Sequence, residues 1–494
     1  MEKRMNDAVE PAQDINLSSI FMAVCGFALY WACFFTMLMR NSFMDAAIEE
    51  LWYHLYLRIV FLVGSAVMCI VIARKADWFS SERGRRLQKA GILLFSAVAA
   101  ISSFTAYTLE AALPLAFDFF AWTLAGMGLA CLLMIWIELI AALPRKHCAA
   151  TLVASMALGA PTYLIMNLLP FPFNIGMLCL CPLVSLGISI LLERDPSIIM
   201  PAFVPLKESR SKTRFAPLFK IVCIAYGIVF GVGIGATTQF VESDLLLSGI
   251  ALVLIAGAGA AWLLLRNMPD LARRMSSFRL LFPVLIVALI PMSFLQGPAA
   301  ASCNMLLLGC YVFFEALGIE LALDIARTRN ASRLHLVGTT QACLYVGLLL
   351  GHAIGLAATS SGVVDYPMLS MAALALVVLL AVIITFAPLS PLVETSTAKH
   401  GSTDAADGDD EPSVDTWQAH CERVAKDAGL SARETEVFML LAKGRGIEHI
   451  QNKLCISGHT VKTHVYNIYR KMDINSREEL LDAVEQEQPN RKAE

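Results

Sequence analysis

Charge is what this chain has least of. Only 16% of its 494 residues are Asp, Glu, Lys or Arg, while 57% are hydrophobic. An ordinary soluble domain carries about 25% charged residues, so the shortage excludes a wholly water-soluble globule. Cleavable leader character is also missing. The first residues, "MEKRMNDAVEPAQDIN", are too polar and acidic for a signal-peptide start, and no cleavage site follows the first apolar run. That run therefore reads as a retained span. The 13 cysteines show neither metal spacing nor a disulfide framework, since most, such as Cys25, Cys69, Cys179 and Cys310, fall in apolar stretches. No nucleophile–base pairing, metal cluster or phosphate-cradling glycine loop is present, so the expectation is a non-enzyme without cofactor or metal.

What fills the chain is apolar length. About 20 mostly apolar residues cross a bilayer as a helix, and twelve segments qualify: 17–39, 51–73, 90–109, 114–142, 149–168, 170–192, 217–240, 244–265, 279–297, 300–326, 335–359 and 367–390. Lys and Arg collect in alternate loops. "RKADWFSSERGRRLQK" after the second segment holds six, and further sets lie at Arg145 and Lys146, at 194–220, at 266–279 and at Arg327, Arg329 and Arg333. The intervening loops hold almost none beyond Arg40. By the positive-inside rule both termini face the cytoplasm, which for this composition means a multi-pass protein of the inner (cytoplasmic) membrane.

Twelve spans with a longer basic connection after the sixth resemble the major facilitator superfamily, whose six-helix halves are related repeats. Spans four and ten end alike, "WIELIAALPRK" and "GIELALDIARTR". The superfamily's loop signature after span two runs roughly Asp-Arg-x-Gly-Arg-Arg. Here "SSERGRR" keeps Gly84, Arg85 and Arg86, with Ser81 and Glu82 in place of the Asp-Arg pair. Ionisable residues inside spans are costly and functional by default. Asp118, Glu138, Glu320 and Asp324 lie toward span ends, where snorkelling or pairing accounts for them. Arg58, Glu315 and His352 sit deeper and, with the polar Gln239 and Gln341, are the ligand-site candidates.

After Leu392 the composition changes. Residues 393–416 are rich in Ser, Thr, Gly and Asp, lack an apolar period, and read as an acidic flexible linker. Helical patterning returns from 417 to 486, before a polar tail at 487–494. "LSARETEVFMLLAKGRG" opens with Ser431 and Glu434, a capping box, ahead of Val437, Leu440 and Leu441 at helical spacing. A short helix "IEHIQNKL" and the turn "CISG" lead to a third helix from Ser457. In it Val461, Val465, Ile468 and Met472 form the buried stripe, and His459, Lys462, Thr463, Tyr466, Asn467 and Arg470 the opposite face. A fourth helix starts near Ser476.

Residues 430–480 resemble the LuxR-type helix-turn-helix domain. The matching positions include Leu430, Arg433, Glu434, Glu436, Val437, Leu440, Leu441, Ala442 and Gly444. They continue with Ile450, Leu454, Ile456, Ser457, Thr460, Val461, Lys462, His464, Ile468, Lys471, Ser476, Arg477 and Leu480. His449 and Gln451 depart from the family's usual Glu and Ala. The resemblance implies double-stranded DNA as partner, with the third helix in the major groove. Lys462, Thr463 and Tyr466 would face bases; Thr460, Arg470, Lys471 and the Ser457 helix end would take phosphates, with Asn467 on the same face. His464 is either a phosphate contact or a packing residue. The fourth helix commonly mediates dimerisation in the family, through Leu480, Leu481 and Val484 here.

The expected fold is thus all-α: a polytopic transmembrane bundle of twelve spans in two six-helix repeats (17–392), and a small four-helix DNA-binding domain. The expected function is a membrane-anchored one-component transcriptional regulator sensing a small molecule or ion. The alternative is a secondary transporter with a regulatory DNA-binding tail.

Overall fold

The computed structural model describes residues 17–39, 51–108, 115–170, 172–194, 212–215, 217–236, 244–267, 281–292, 294–295, 297–329, 331–361, 366–386, 393–396, 421, 423–442, 450–451, 454, 458–472, 474 and 479–480. The chain divides into two units, 1–399 and 400–494, each with its own hydrophobic core.

In the first unit every expected span is a helix. The first half runs α1 (Leu17–Met39), α2 (Leu51–Arg74), the short α3 (Ala76–Phe79), α4 (Glu82–Thr108), α5 (Leu115–Ala142), α6 (Arg145–Leu168) and α7 (Phe173–Leu192). The second half runs α8 (Pro217–Ala236), α9 (Asp244–Asn267), α10 (Leu281–Met292), α11 (Gly297–Thr328), α12 (Arg333–Ser361) and α13 (Tyr366–Phe386). Among the described residues nine helices are long and apolar enough to cross a membrane. The remaining three helices at expected spans are α4, α10 and α13.

Lipid supplies no hydrophobic drive between helices, so close packing relies on small residues. α8 carries Gly227 and Gly231, and α12 carries Gly347 and Gly351, two G-x-x-x-G motifs set face to face. A Cβ at Gly347 would lie 2.2 Å from the Ile224 carbonyl oxygen, and one at Gly351 2.2 Å from that of Ile228. No side chain fits there.

The two halves meet near the basic loops and also deeper in the bundle, where Phe34 of α1 lies beside Tyr311 of α11 and Tyr345 of α12. α12 packs on α2, with Gly338 against Cys69 and Ala73 and His335 Nδ1 bonded to the Ala73 carbonyl oxygen at 2.8 Å. α9 packs on α6, and the Cys148 thiol on α6 donates to Glu320 Oε2 on α11 at 3.7 Å.

One expectation needs correcting. The linker was expected to be structureless from residue 393, but Val393–Ser396 forms strand β2, antiparallel to β1 (Lys212–Phe215), with Lys212 opposite Ser396 and Phe215 opposite Val393. Alternation of Val, Glu, Thr and Ser suits a strand, and the open edge of a second short segment supplies the partner. Phe215 anchors the pair, buried and stacked on Phe219 at 4.3 Å. The rest of the linker, 397–416, lies outside the described residues.

In the second unit a helical turn at 423–427 is followed by α14 (Ala432–Ala442) and α15 (Gly458–Met472). Gly429 ends the first turn in the left-handed region, φ +64°, while Leu430 N–H reaches back to the Ala425 carbonyl at 2.9 Å. That is the closure a helix end favours, and glycine adopts it without a Cβ penalty. Cys421, Val424, Val437, Phe438, Leu441, Ile450, Val461, Ile468 and Leu480 form the core.

Candidate nucleic-acid interface and membrane-core polar cluster

The third helix of the second unit forms as its sequence indicates. Val461 and Ile468 are fully buried, and Val465 and Met472 pack against the same core. On the other side Thr463, Tyr466 and Arg470 are exposed, while Thr460, His464 and Asn467 are half-buried. His464 is thus neither fully packed nor fully presented. Lys462 lies on this helix, but its side chain is outside the described residues, as are Ser457, Leu481 and Val484.

The capping box is formed as read. Ser431 N–H donates to Glu434 Oε2 at 2.8 Å, and Glu434 N–H donates to Ser431 Oγ at 3.4 Å. The same carboxylate accepts from Lys471 Nζ at 2.7 Å, and Lys471 also donates to the Gly429 carbonyl at 3.0 Å. Glu434 is buried, and the Lys471 ammonium, with the Ser431 N–H next, pulls its carboxyl down to about 2. Arg433 pairs with Glu436 and donates to the Leu454 carbonyl at 2.9 Å, tying α14 to the turn region.

Two expected roles change here. Lys471, expected as a phosphate contact, has its ammonium committed to Glu434 and Gly429, so it braces the end of α15 against the start of α14. Leu480, expected on a dimerisation surface, is fully buried in its own unit's core. Its side chain holds the fourth helix to the domain and is not presented to a partner.

In the membrane bundle Arg58, Glu315, Gln341 and His352 are all at most 2% exposed. Gln239 lies outside the described residues. Glu315 and Gln341 are neighbours, together with Tyr311, whereas Arg58 and His352 are not among the groups that act on Glu315. Tyr30 and Tyr345 also lie within electrostatic reach of that carboxylate. These tyrosines escaped the sequence reading because Tyr in an apolar helix looks like ordinary core. The clustering of ring-bearing "YWACFF" at 30–35 was the available signal.

The end-of-span acids behave differently. Glu320 and Asp324 on α11 flank Arg327 Nη1 at 3.9 and 3.7 Å. Glu138 lies near Arg85 of the retained loop signature and near Arg333 of the second half. In that loop Ser81 caps α4, its Oγ accepting from Gly84 N–H at 3.2 Å, so it serves the turn where the superfamily has Asp. A separate apolar cavity of about 40 Å³ lies between α1, α4, α5 and α7, lined by Cys33, Met37, Phe95, Trp122, Cys179 and Pro182. None of the ligand-site candidates lines it.

Comparison with known proteins agrees with this division. Residues 428–484 match the family described as bacterial regulatory proteins, luxR family. The transcriptional activator protein CarR of Pectobacterium carotovorum subsp. carotovorum is 45% identical over 62 residues, 12% of this chain and 25% of CarR. The chain spans between 6% and 48% of the length of the curated relatives it matches. The bundle is similar in fold to a bacterial homologue of the iron transporter ferroportin, at TM-score 0.51 and 13% identity over 74% of this chain and 97% of that one. It is also similar to the human organic anion transporter MFSD10 (TETRAN), at TM-score 0.50 and 13% identity over 76% and 100%. The protein is therefore a multi-pass membrane protein in which a bundle similar in fold to these transporters is joined to a C-terminal LuxR-type helix-turn-helix domain at 428–484.

Proposed function

We propose that the protein is a membrane-anchored, one-component transcriptional regulator. Its transporter-like bundle senses a small molecule or ion, and its tethered domain binds double-stranded DNA as a dimer. The observation that carries this reading is the joining of those two modules in one chain. The alternating basic loops support insertion in the cytoplasmic membrane with both termini inside, where DNA is reached. The proposed extents are a bundle at 17–392 followed by the strand at 393–396, a linker at 397–416 and a DNA-binding domain at 417–486.

On DNA, Lys462, Thr463 and Tyr466 read base edges, while Thr460, Asn467, Arg470 and the Ser457 end of α15 hold phosphates and set the register. His464 joins the phosphate set from its half-buried position. A domain this small neutralises few phosphates and binds weakly alone, so two copies on paired half-sites are needed. Leu481 and Val484 remain for the contact between copies.

Selection from random duplexes with the 400–494 unit tests this. One inverted repeat should be enriched. Lys462→Ala should flatten the preference at one position by about 1–3 kcal/mol. Arg470→Ala should weaken all sequences alike and lower the salt slope by about 1. Failure to enrich any sequence, or equal loss of specificity in both variants, would remove the assignment.

A further inference from the structure

Among the acids of α11, one stands apart. Glu320 and Asp324 share Arg327, but Glu315, a turn and more deeper, forms no ion pair with any cation among the described residues. It is 1% exposed, and neither carboxylate oxygen meets a hydrogen-bond partner among those residues. The Tyr311 hydroxyl and the Gln341 carbonyl oxygen, its neighbours, are equally without one, and both residues are at most 1% exposed. Of these groups the Tyr311 hydroxyl and the Gln341 amide N–H are able to donate to the carboxylate, but both are neutral. Native structures satisfy such groups, and an uncompensated buried carboxylate is costly. The missing element is a positive charge to offset the carboxylate.

The surroundings narrow the class. Tyr30 and Tyr345 also lie within electrostatic reach of Glu315. Phe34 sits 5.8 Å from the Tyr345 ring and 6.3 Å from the Tyr311 ring, and Phe230 meets Tyr311 edge-on at 5.5 Å. All five rings are buried. Aromatic rings beside a carboxylate favour a cation with an apolar body, whereas a bare hydrated metal ion calls for more oxygen ligands than one carboxylate and an amide. The rings also come from both halves: Tyr30 and Phe34 from α1, Tyr311 from α11 and Tyr345 from α12. A ligand held here touches both halves at once, as a sensor whose halves move against each other requires.

We propose that Glu315, Gln341 and the surrounding Tyr30, Tyr311 and Tyr345 form a binding site for a small organic cation, an ammonium on an apolar body. The ammonium donates to Glu315 and to the Gln341 carbonyl oxygen, and the body lies against the rings. This inference rests on the sensor reading above, naming the class of ligand.

The test uses three small molecules of one shape and different charge: benzylamine, protonated at neutral pH, with neutral benzyl alcohol and anionic benzoate. Each is titrated into the intact protein in detergent while thermal unfolding is followed by tryptophan fluorescence. Expected is a saturable rise in melting temperature with benzylamine alone, and loss of that rise in Glu315→Gln. This variant removes an uncompensated buried charge and should fold at least as well. The wild-type charge series stands without any variant. Equal shifts from all three compounds, no shift from any, or a benzylamine shift that survives Glu315→Gln would overturn the proposal. A shift from sodium chloride that depends on Glu315, with benzylamine inert, would also overturn it by reassigning the site to an inorganic cation. No DNA is present in this measurement, so its failure leaves the DNA-binding reading to its own test.

Discussion

The brace between Lys471 and Glu434 offers the most quantitative check on the DNA-binding unit. The carboxyl falls from 4.5 to about 2 on folding, chiefly through the Lys471 ammonium and the Ser431 N–H. Taken at full value, that fall corresponds to about 3 kcal/mol. The Lys471 side chain is 34% exposed, and solvent screening brings the contribution down to about 1–2 kcal/mol. For a small domain this is a shift of about 1–2 M in the urea midpoint. Because the folded carboxyl titrates below its ordinary value, the contribution is complete above pH of about 5. It is lost as the pH falls toward about 2. The assay is urea unfolding of the 400–494 unit by far-UV circular dichroism, for wild type, Glu434→Gln, Lys471→Met and the double variant. At pH 7 each single variant should lose about 1–2 kcal/mol, and the double variant clearly less than their sum, because the residues touch. Between pH 5 and pH 2.5 the wild type should lose more stability than Glu434→Gln. Additive losses at pH 7, or parallel pH profiles, would refute the brace.

Other consequences follow from equally local observations. Gly84→Ala puts a Cβ 2.3 Å from the Trp78 carbonyl oxygen, so the yield of monodisperse protein in detergent should drop, while Arg83→Ala, on an exposed side chain, leaves it unchanged. Reporter fusions after Lys89 and after Leu392 should both report the cytoplasm, and one within 361–366 the outside; any other pattern breaks the topology. Ten Gly-Ser residues inserted after Gly408 should leave regulation intact with a small change in potency, since effective concentration varies weakly with tether length; loss of induction with DNA binding retained would demand a rigid connection.

Local signals were the legible ones. Twelve apolar runs became twelve helices because in lipid a backbone satisfies its polar groups within its own segment. The Ser431–Glu434 capping box and the Val461–Ile468 stripe were readable because each spans a few residues of one helix. Contacts between distant segments were not. Nothing in "KTRF" or "VETS" alone names the other as a strand partner some 180 residues away. Lys471 looked like a phosphate ligand because its carboxylate partner lies 37 residues earlier on another helix. Leu480 looked exposed because one apolar residue on a short helix does not reveal which side is covered. Glu315 was legible as a charge out of place, but the tyrosines beside it were not, since buried rings are common in apolar helices.

The central claim is that an intact, membrane-embedded chain binds specific DNA. Crosslinking of the full-length protein in cells, followed by isolation of the membrane fraction and sequencing of the attached DNA, tests it most directly. Discrete sites sharing an inverted repeat should be enriched from the membrane fraction and vanish when residues 458–472 are deleted. Enrichment no greater than in that deletion control, or enrichment confined to a released soluble tail, would contradict the account.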